Sequence, residues 1–317
     1  MFSWLFKKYA NYTCLKNGRN SLNILTYHRV SHTFNPFKPR EISKTLFKEQ
    51  LSWLKKYFNV LPLPLALELI ENNSLPPRAV CLTIDDGYND SYHIIFKILK
   101  ELELTASFFI STKGIEKGSL WDEELSYAFA QMPTTQTSLT ILGTTFDVST
   151  YRKRQESLFS LIDLVKYRSL DERAQTIKAL VQLTHTGSVP HSFLTPSNIL
   201  EMHQAGMTIG AHTHQHPILT SETDDVAYLQ IEKSKLILEE IIGEPIDYFA
   251  YPNGKYEIDF QDKHVEMLKK MGFKAALSTN WGSLNNLSNE RYTIKRFTPW
   301  DETQMRFCFR LAANFNK

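Results

Sequence analysis

Along most of the 317-residue chain, short apolar runs alternate with stretches whose apolar residues recur at helical spacing. Leu22 to Tyr27 reads as a strand, and Phe47, Leu51, Leu54 and Phe58 then fall on one helical face. Ala79 to Ile84 is a second strand. After it Tyr92, Ile95, Leu99 and Leu102 line up as a helix, and Thr105 to Ile110 is again a strand. The alternation returns after Thr195, which with Pro196 suits a helix cap and first turn, while Gly206 suits the stop. Met207 to Ala211 reads as a strand and Asp224 to Ile242 as a helix. Ile246 to Tyr251, a helix ending near Gly272, and Phe273 to Ser278 complete the series. Strands alternating with helices predict an α/β fold with a largely parallel sheet, closed or nearly closed into a barrel.

Between Ser111 and Thr195 the pattern changes to a mostly polar, helix-prone segment. It predicts a helical pair over Tyr151 to Leu183 and a hairpin around Leu139 to Val148. We read one domain over residues 1–317 with an insertion at 112–194, which suits either a substrate-shaping lid or a plain elaboration of the barrel. No repeat, low-complexity tract or Pro/Gly/Ser linker divides the chain.

Composition changes this picture little. A hydrophobic content of 42% with 22% charged residues is that of a water-soluble globular protein. A net charge of +2 gives no reason to expect nucleic acid as a partner, because phosphate neutralisation needs clustered positive charge. Lys7-Lys8 and Arg152-Lys153-Arg154 are explained by surface solvation. Cys14, Cys81 and Cys308 lie far apart without the spacing of a redox or zinc motif, which fits a reducing compartment. The N-terminal apolar stretch is too short for a secretory signal and no later run is long enough to span a bilayer, so a cytoplasmic protein is the simplest reading. Trp4, Phe6, Lys7 and Lys8 offer a face suited to weak membrane-surface contact, although a frayed or packed terminus accounts for them more simply.

Two features fall at predicted C-terminal strand ends, where a parallel barrel places its active site. The first is Thr83-Ile84-Asp85-Asp86-Gly87. Adjacent carboxylates repel, and a cation, a proton or hydrogen bonds must offset that cost. Gly87 lets the chain turn sharply. Alone, this triplet is better explained by an ordinary turn. The second feature is His212-Thr213-His214-Gln215-His216-Pro217. Residues four apart meet if the chain turns helically after the strand, so His212 and His216 offer imidazole nitrogens to one metal. Two histidines and one carboxylate with open positions make a catalytic rather than a closed structural site.

Together these motifs resemble those of the polysaccharide deacetylase family, carbohydrate esterase family four. The first family motif, Thr-Phe-Asp-Asp-Gly, appears with Ile84 for Phe, and the second, His-Ser/Thr-x-x-His, as His212 to His216. The resemblance covers about Leu22 to Phe297, leaving Ser111 to Thr195 unmatched. It implies a distorted (β/α) barrel with Asp85 as general base and Asp86, His212 and His216 as metal ligands. His214 then has a structural role. The third motif, Arg-x-Pro-aromatic-Gly in outline, is altered within Phe249-Ala250-Tyr251-Pro252-Asn253-Gly254: Ala250 replaces the arginine and Asn253 the aromatic. The family arginine orients the base; Arg296 is a candidate substitute, and a structural ion pair explains it equally well. The Asn253 N–H still serves as an oxyanion donor, because a backbone donor survives a side-chain change.

The family's C-terminal Leu-x-His motif is absent, since no histidine follows His264. Tyr27-His28 instead resembles the N-terminal motif of the poly-N-acetylglucosamine deacetylase branch, which implies His28 as general acid. The implied activity is metal-dependent removal of N-acetyl groups from an N-acetylhexosamine-containing saccharide or glycolipid. Zinc is the default cofactor for this ligand set, with cobalt, nickel or manganese also suited. Tyr88, Trp121, Tyr251, Trp281 and Trp300 are candidates for a sugar-binding wall, each against the alternative of core packing. A metal-dependent hydrolase of a non-sugar amide and a non-catalytic glycan-binding protein remain open on the same fold.

Overall fold

The computed structural model describes residues 2–16, 19–33, 35–38 and 41–317. Seven strands follow one another in space in chain order: β1 (Asn23–Tyr27), β2 (Ala79–Asp86), β3 (Ser107–Ile110), β4 (Thr208–Ala211), β5 (Tyr248–Ala250), β6 (Ala275–Trp281) and β7 (Ile294–Arg296). Every neighbouring pair is parallel. The ring nearly closes between β7 and β1, where Thr26 N–H donates to the Phe297 carbonyl at 3.0 Å and Phe297 N–H to Ile24 at 2.7 Å. The result is the nearly closed (β/α) barrel expected from the alternation.

Each strand is buried because it packs against barrel interior on one side and helices on the other. β1 and β3 are buried at every residue. Helix Lys44–Tyr57 starts at Ser43, whose side chain accepts from Leu46 N–H, and buries Phe47, Leu51 and Leu54. Thr195 caps helix Pro196–Gln204 as expected, and Asp224–Ile242 runs between Thr223 and Gly243, the latter at φ 74°.

Three local features differ from the sequence pattern. After β2 the chain winds as a π-helix, Ser91–Phe96, before the α-helix Lys97–Glu101. Its preceding Asp90 does not cap it, because that carboxylate accepts from Val30 N–H at 2.8 Å and from Arg29 at 3.1 Å. β6 runs past Ser278 to Trp281 through an irregular register. At the N-terminus, Phe2–Cys14 is a helix whose Phe6, Ala10 and Cys14 are buried, whereas Trp4, Leu5 and Tyr12 are exposed. It packs beside helix Gln304–Asn314.

Between β3 and β4 the expected hairpin is present as Ser138–Ile141 and Thr144–Asp147, and the helical pair as Tyr151–Val165 and Leu170–Thr184. With helix Trp121–Gln131 they enclose a separate apolar cluster including Leu125, Phe129, Leu158, Leu161 and Leu180.

Candidate active site

Neighbouring residues in a strand point to opposite faces, so Asp85 and Asp86 would ordinarily diverge. Positive φ at Asp86 (78°) and Gly87 (94°) breaks the pleat at the end of β2. A side chain at Gly87 would collide with Ile110 Cγ2, at 2.7 Å from an added Cβ, so a glycine is required by space as well as by φ. The loop after β4 turns similarly, with Thr213 at φ 63° and His216 at φ 54°. These two turns bring Asp86, His212 and His216 together, with one ligand atom from each lying within 4.8 Å of the others.

His212 Nδ1 stands 2.7 Å from the Ala250 carbonyl, which only accepts, so Nδ1 carries a proton and Nε2 is turned toward Asp86 and His216. His212 Nε2 and His216 Nε2 are 3.2 Å apart, and Asp86 Oδ1 lies 3.6 and 3.4 Å from them. Lone pairs held this close repel unless a proton or cation sits among them. Burial, reinforced by His212, pushes the His216 imidazole down to about 3, so it is neutral at pH 7. Burial would raise the Asp86 carboxyl, but the surrounding histidines outweigh it and hold it well below the usual range. Two imidazoles and one carboxylate, one imidazole oriented by a carbonyl, fit a divalent metal.

Asp85, 1% exposed, faces Arg296, also 1% exposed. Arg296 Nη1 donates to Asp85 Oδ1 at 2.9 Å; Nη2 lies 2.8 Å from Oδ2, close enough for ion pairing but not aligned for a hydrogen bond. Arg296 Nε donates to the Ser278 carbonyl, which fixes the guanidinium. Burial pushes the Asp85 carboxyl up, and Arg296 together with His212 and His28 more than offsets it, leaving the group below the usual carboxylate range. The arginine missing at Ala250 thus has a counterpart on β7.

Asn253 sits at φ 58°, a conformation asparagine tolerates better than an aromatic residue does. Asp259, buried beneath this turn, accepts from Asn253 Nδ2 and Lys255 N–H, each at 2.7 Å. The Asn253 side chain is therefore tied to its own turn. His28, exposed, follows β1. His214 faces away: its Nδ1 lies 2.8 Å from Thr112 Oγ1, and it is 2% exposed.

A cavity of about 500 Å³ at the C-terminal strand ends is lined by His28, Asp85, Asp86, His212, His216 and Asn253. All six residues singled out in the sequence therefore face one space. Tyr88, Trp121 and Tyr251 also line it. Trp281 and Trp300 are not among its walls; their rings pack on each other, with centroids 5.0 Å apart, and Arg310 stacks on Trp300. A smaller cavity of about 200 Å³, lined by Asn20, Glu71, Asn73 and Asn286, carries none of this chemistry.

The profile of the polysaccharide deacetylase family matches residues 72–276, well over half of the chain. The chain belongs to this family. YxkH of Bacillus subtilis (strain 168) is 30% identical over 107 residues, which are 33% of this chain and 37% of that relative's length. Among solved structures, the Streptococcus pyogenes deacetylase PplD in complex with acetate superposes with a TM-score of 0.60 at 21% identity, covering 88% of this chain and 92% of that one. IcaB from Ammonifex degensii gives a TM-score of 0.60 at 19% identity, covering 94% of this chain and 97% of its own. These likenesses establish the deacetylase barrel.

Several residues of this family member's cleft were not legible beforehand. Asp122 accepts from Tyr88 Oη at 2.9 Å, and burial, reinforced by Asp86, pushes its carboxyl up to about 6. Arg29 lies over the Tyr88 ring and pairs with Asp90 and Glu123. Arg173 reaches the carbonyls of Gln215 and His216 from helix Leu170–Thr184. Asp122 and Arg173 lie in polar helices, where charged residues carry no sequence signal separating cleft from surface.

Proposed function

We propose that the protein is a metal-dependent N-deacetylase acting on an N-acetylhexosamine-containing saccharide or glycolipid. The observation that carries this reading is the convergence of His28, Asp85, Asp86, His212, His216 and Asn253 on one cavity. Asp86, His212 and His216 hold the metal, zinc by default, with cobalt, nickel or manganese also suited to the ligand set. A bound divalent metal supplies Lewis acidity toward the acetamide carbonyl and eases deprotonation of water. Asp85, kept ionised by Arg296, accepts the proton as water adds to the carbonyl carbon. The Asn253 N–H donates to the oxyanion as it develops. His28 protonates the sugar nitrogen as the C–N bond breaks, leaving acetate and an amine. Residues 1–317 form one domain in this reading, with 112–194 as an insertion that walls the cleft with Trp121 and Asp122.

The test is acetate release from N-acetylglucosamine oligosaccharides by zinc-loaded and chelated protein. Release that chelation abolishes and zinc restores supports the proposal; a metal-loaded protein that releases no acetate from several acetylated sugars overturns the substrate class. His28→Ala is expected to lower kcat about 100-fold, within the range of general acid catalysis. Zinc affinity by titration calorimetry stays unchanged, since His28 is not a ligand. Full activity in this variant removes His28 from its role.

Among the described residues no helix is long and apolar enough to cross a membrane. We further propose a cytoplasmic location with weak attachment to anionic lipid. Cys14, Cys81 and Cys308 are buried free thiols. Phe6, expected on the membrane-facing side, is instead buried in the core; helix Phe2–Cys14 exposes Trp4 beside Lys7 and Lys8, together with Leu5 and Tyr12, and contains no acidic residue. Cosedimentation with phosphatidylglycerol vesicles is expected for wild type and reduced for Lys7→Glu/Lys8→Glu; equal sedimentation of both proteins refutes the contact.

A further inference from the structure

We propose that Arg173 is a positioning residue of the metal centre, which makes helix Leu170–Thr184 part of the support for the His216 loop. This rests on reading Asp86, His212 and His216 as the metal site. Arg173 is 3% exposed. Its Nη2 donates to the Gln215 carbonyl at 2.8 Å and its Nη1 to the His216 carbonyl at 3.1 Å. One planar fork therefore grips two consecutive peptide groups of the loop that carries His216.

That loop needs outside support. His216 has φ 54° and Thr213 φ 63°, conformations that cost a non-glycine residue energy unless surrounding contacts hold them. Arg173 supplies two charge-assisted hydrogen bonds at that point. A second tie joins the same two elements: Leu170 N–H, at the start of the helix, donates to Glu222 Oε1 at 2.8 Å. A third fixes the guanidinium plane, which lies 4.9 Å from the Trp121 ring centroid on the cleft wall. The terminal nitrogens thus meet carbonyl oxygens, not a carboxylate, and their directions follow from the backbone of the metal loop.

Two consequences follow from thermodynamic linkage. If Arg173 holds His216 in its ligating position, its removal weakens metal binding. Reciprocally, metal binding steadies the carbonyls that Arg173 grips and so protects helix Leu170–Thr184. Outer groups that orient ligands typically alter metal affinity by about 10–100-fold. Lysine keeps the charge but offers a point in place of a fork, so it only partly substitutes.

The experiment measures zinc affinity of the full chain by titration calorimetry for wild type, Arg173→Met and Arg173→Lys. Amide hydrogen exchange of wild type with and without zinc is measured in parallel. Arg173→Met is expected to bind zinc about 10–100-fold more weakly, with Arg173→Lys in between. Zinc is expected to slow exchange within residues 170–184 as well as in the loop at 212–222. A folded Arg173→Met protein with wild-type zinc affinity overturns the proposal. Should that variant not fold, wild-type exchange decides: protection confined to the metal loop overturns it, and protection extending into the helix supports it. Wild type that binds no zinc, cobalt, nickel or manganese defeats the metal reading itself, an outcome visible before any variant is made.

Discussion

Asp85→Asn is expected to lower acetate release about 1,000-fold, within the range of a lost general base, while zinc affinity stays close to that of wild type. The substitution keeps the shape of the side chain and removes its ability to take a proton. Asp86, His212 and His216 are untouched, and their spacing is set by the turns at Asp86, Gly87 and His216. Activity and metal binding therefore separate in this variant, whereas His212→Ala loses both. The comparison needs acetate release and zinc titration on the same preparations, with circular dichroism to verify folding. An Asp85→Asn protein that keeps more than a tenth of wild-type kcat would show that another group takes the proton.

The second large effect concerns Arg296. Arg296→Met leaves Asp85 buried without its cation, and breaking such a pair costs about 3–5 kcal/mol. The base also loses the hydrogen bond at Oδ1 that orients it. We expect denaturant unfolding to report the stability loss and kcat to fall about 100-fold with little change in KM, as expected for a group that acts only through the base. Asp85→Asn/Arg296→Met carries neither charge. Its stability is expected to lie well above the sum of the single losses, since two neutral groups of similar size avoid an uncompensated buried charge. Strictly additive losses would mean that Arg296 supports the barrel independently of Asp85.

These two residues also show how far the sequence reached. Asp85 was identifiable because it stands beside Asp86 and Gly87 at the end of an apolar run, a local arrangement. Arg296 was a candidate only because the motif arginine is absent at Ala250; nothing near Ile294 or Phe297 points to β2. The pairing exists because barrel closure sets β7 beside β1, which itself neighbours β2. A contact between residues 211 positions apart is fixed by topology. The same holds for the sugar-wall candidates. Tyr88 and Trp121 face the cavity, while Trp281 and Trp300 pack on each other beside Arg310.

The sequence by itself determined the alternation of strands and helices, the cap at Thr195, and the motif residues of the cleft. Each of these depends on interactions within a few residues: side-chain periodicity, a hydroxyl reaching a nearby N–H, or a glycine at positive φ. Only the tertiary structure decided what those residues meet. It set His212 against the Ala250 carbonyl, Arg296 against Asp85, Asp259 beneath the Asn253 turn, and Arg173 on the carbonyls of Gln215 and His216. The physical reason is that buried polar groups must find partners wherever the fold brings them, and partners distant in sequence leave no periodic trace along the chain.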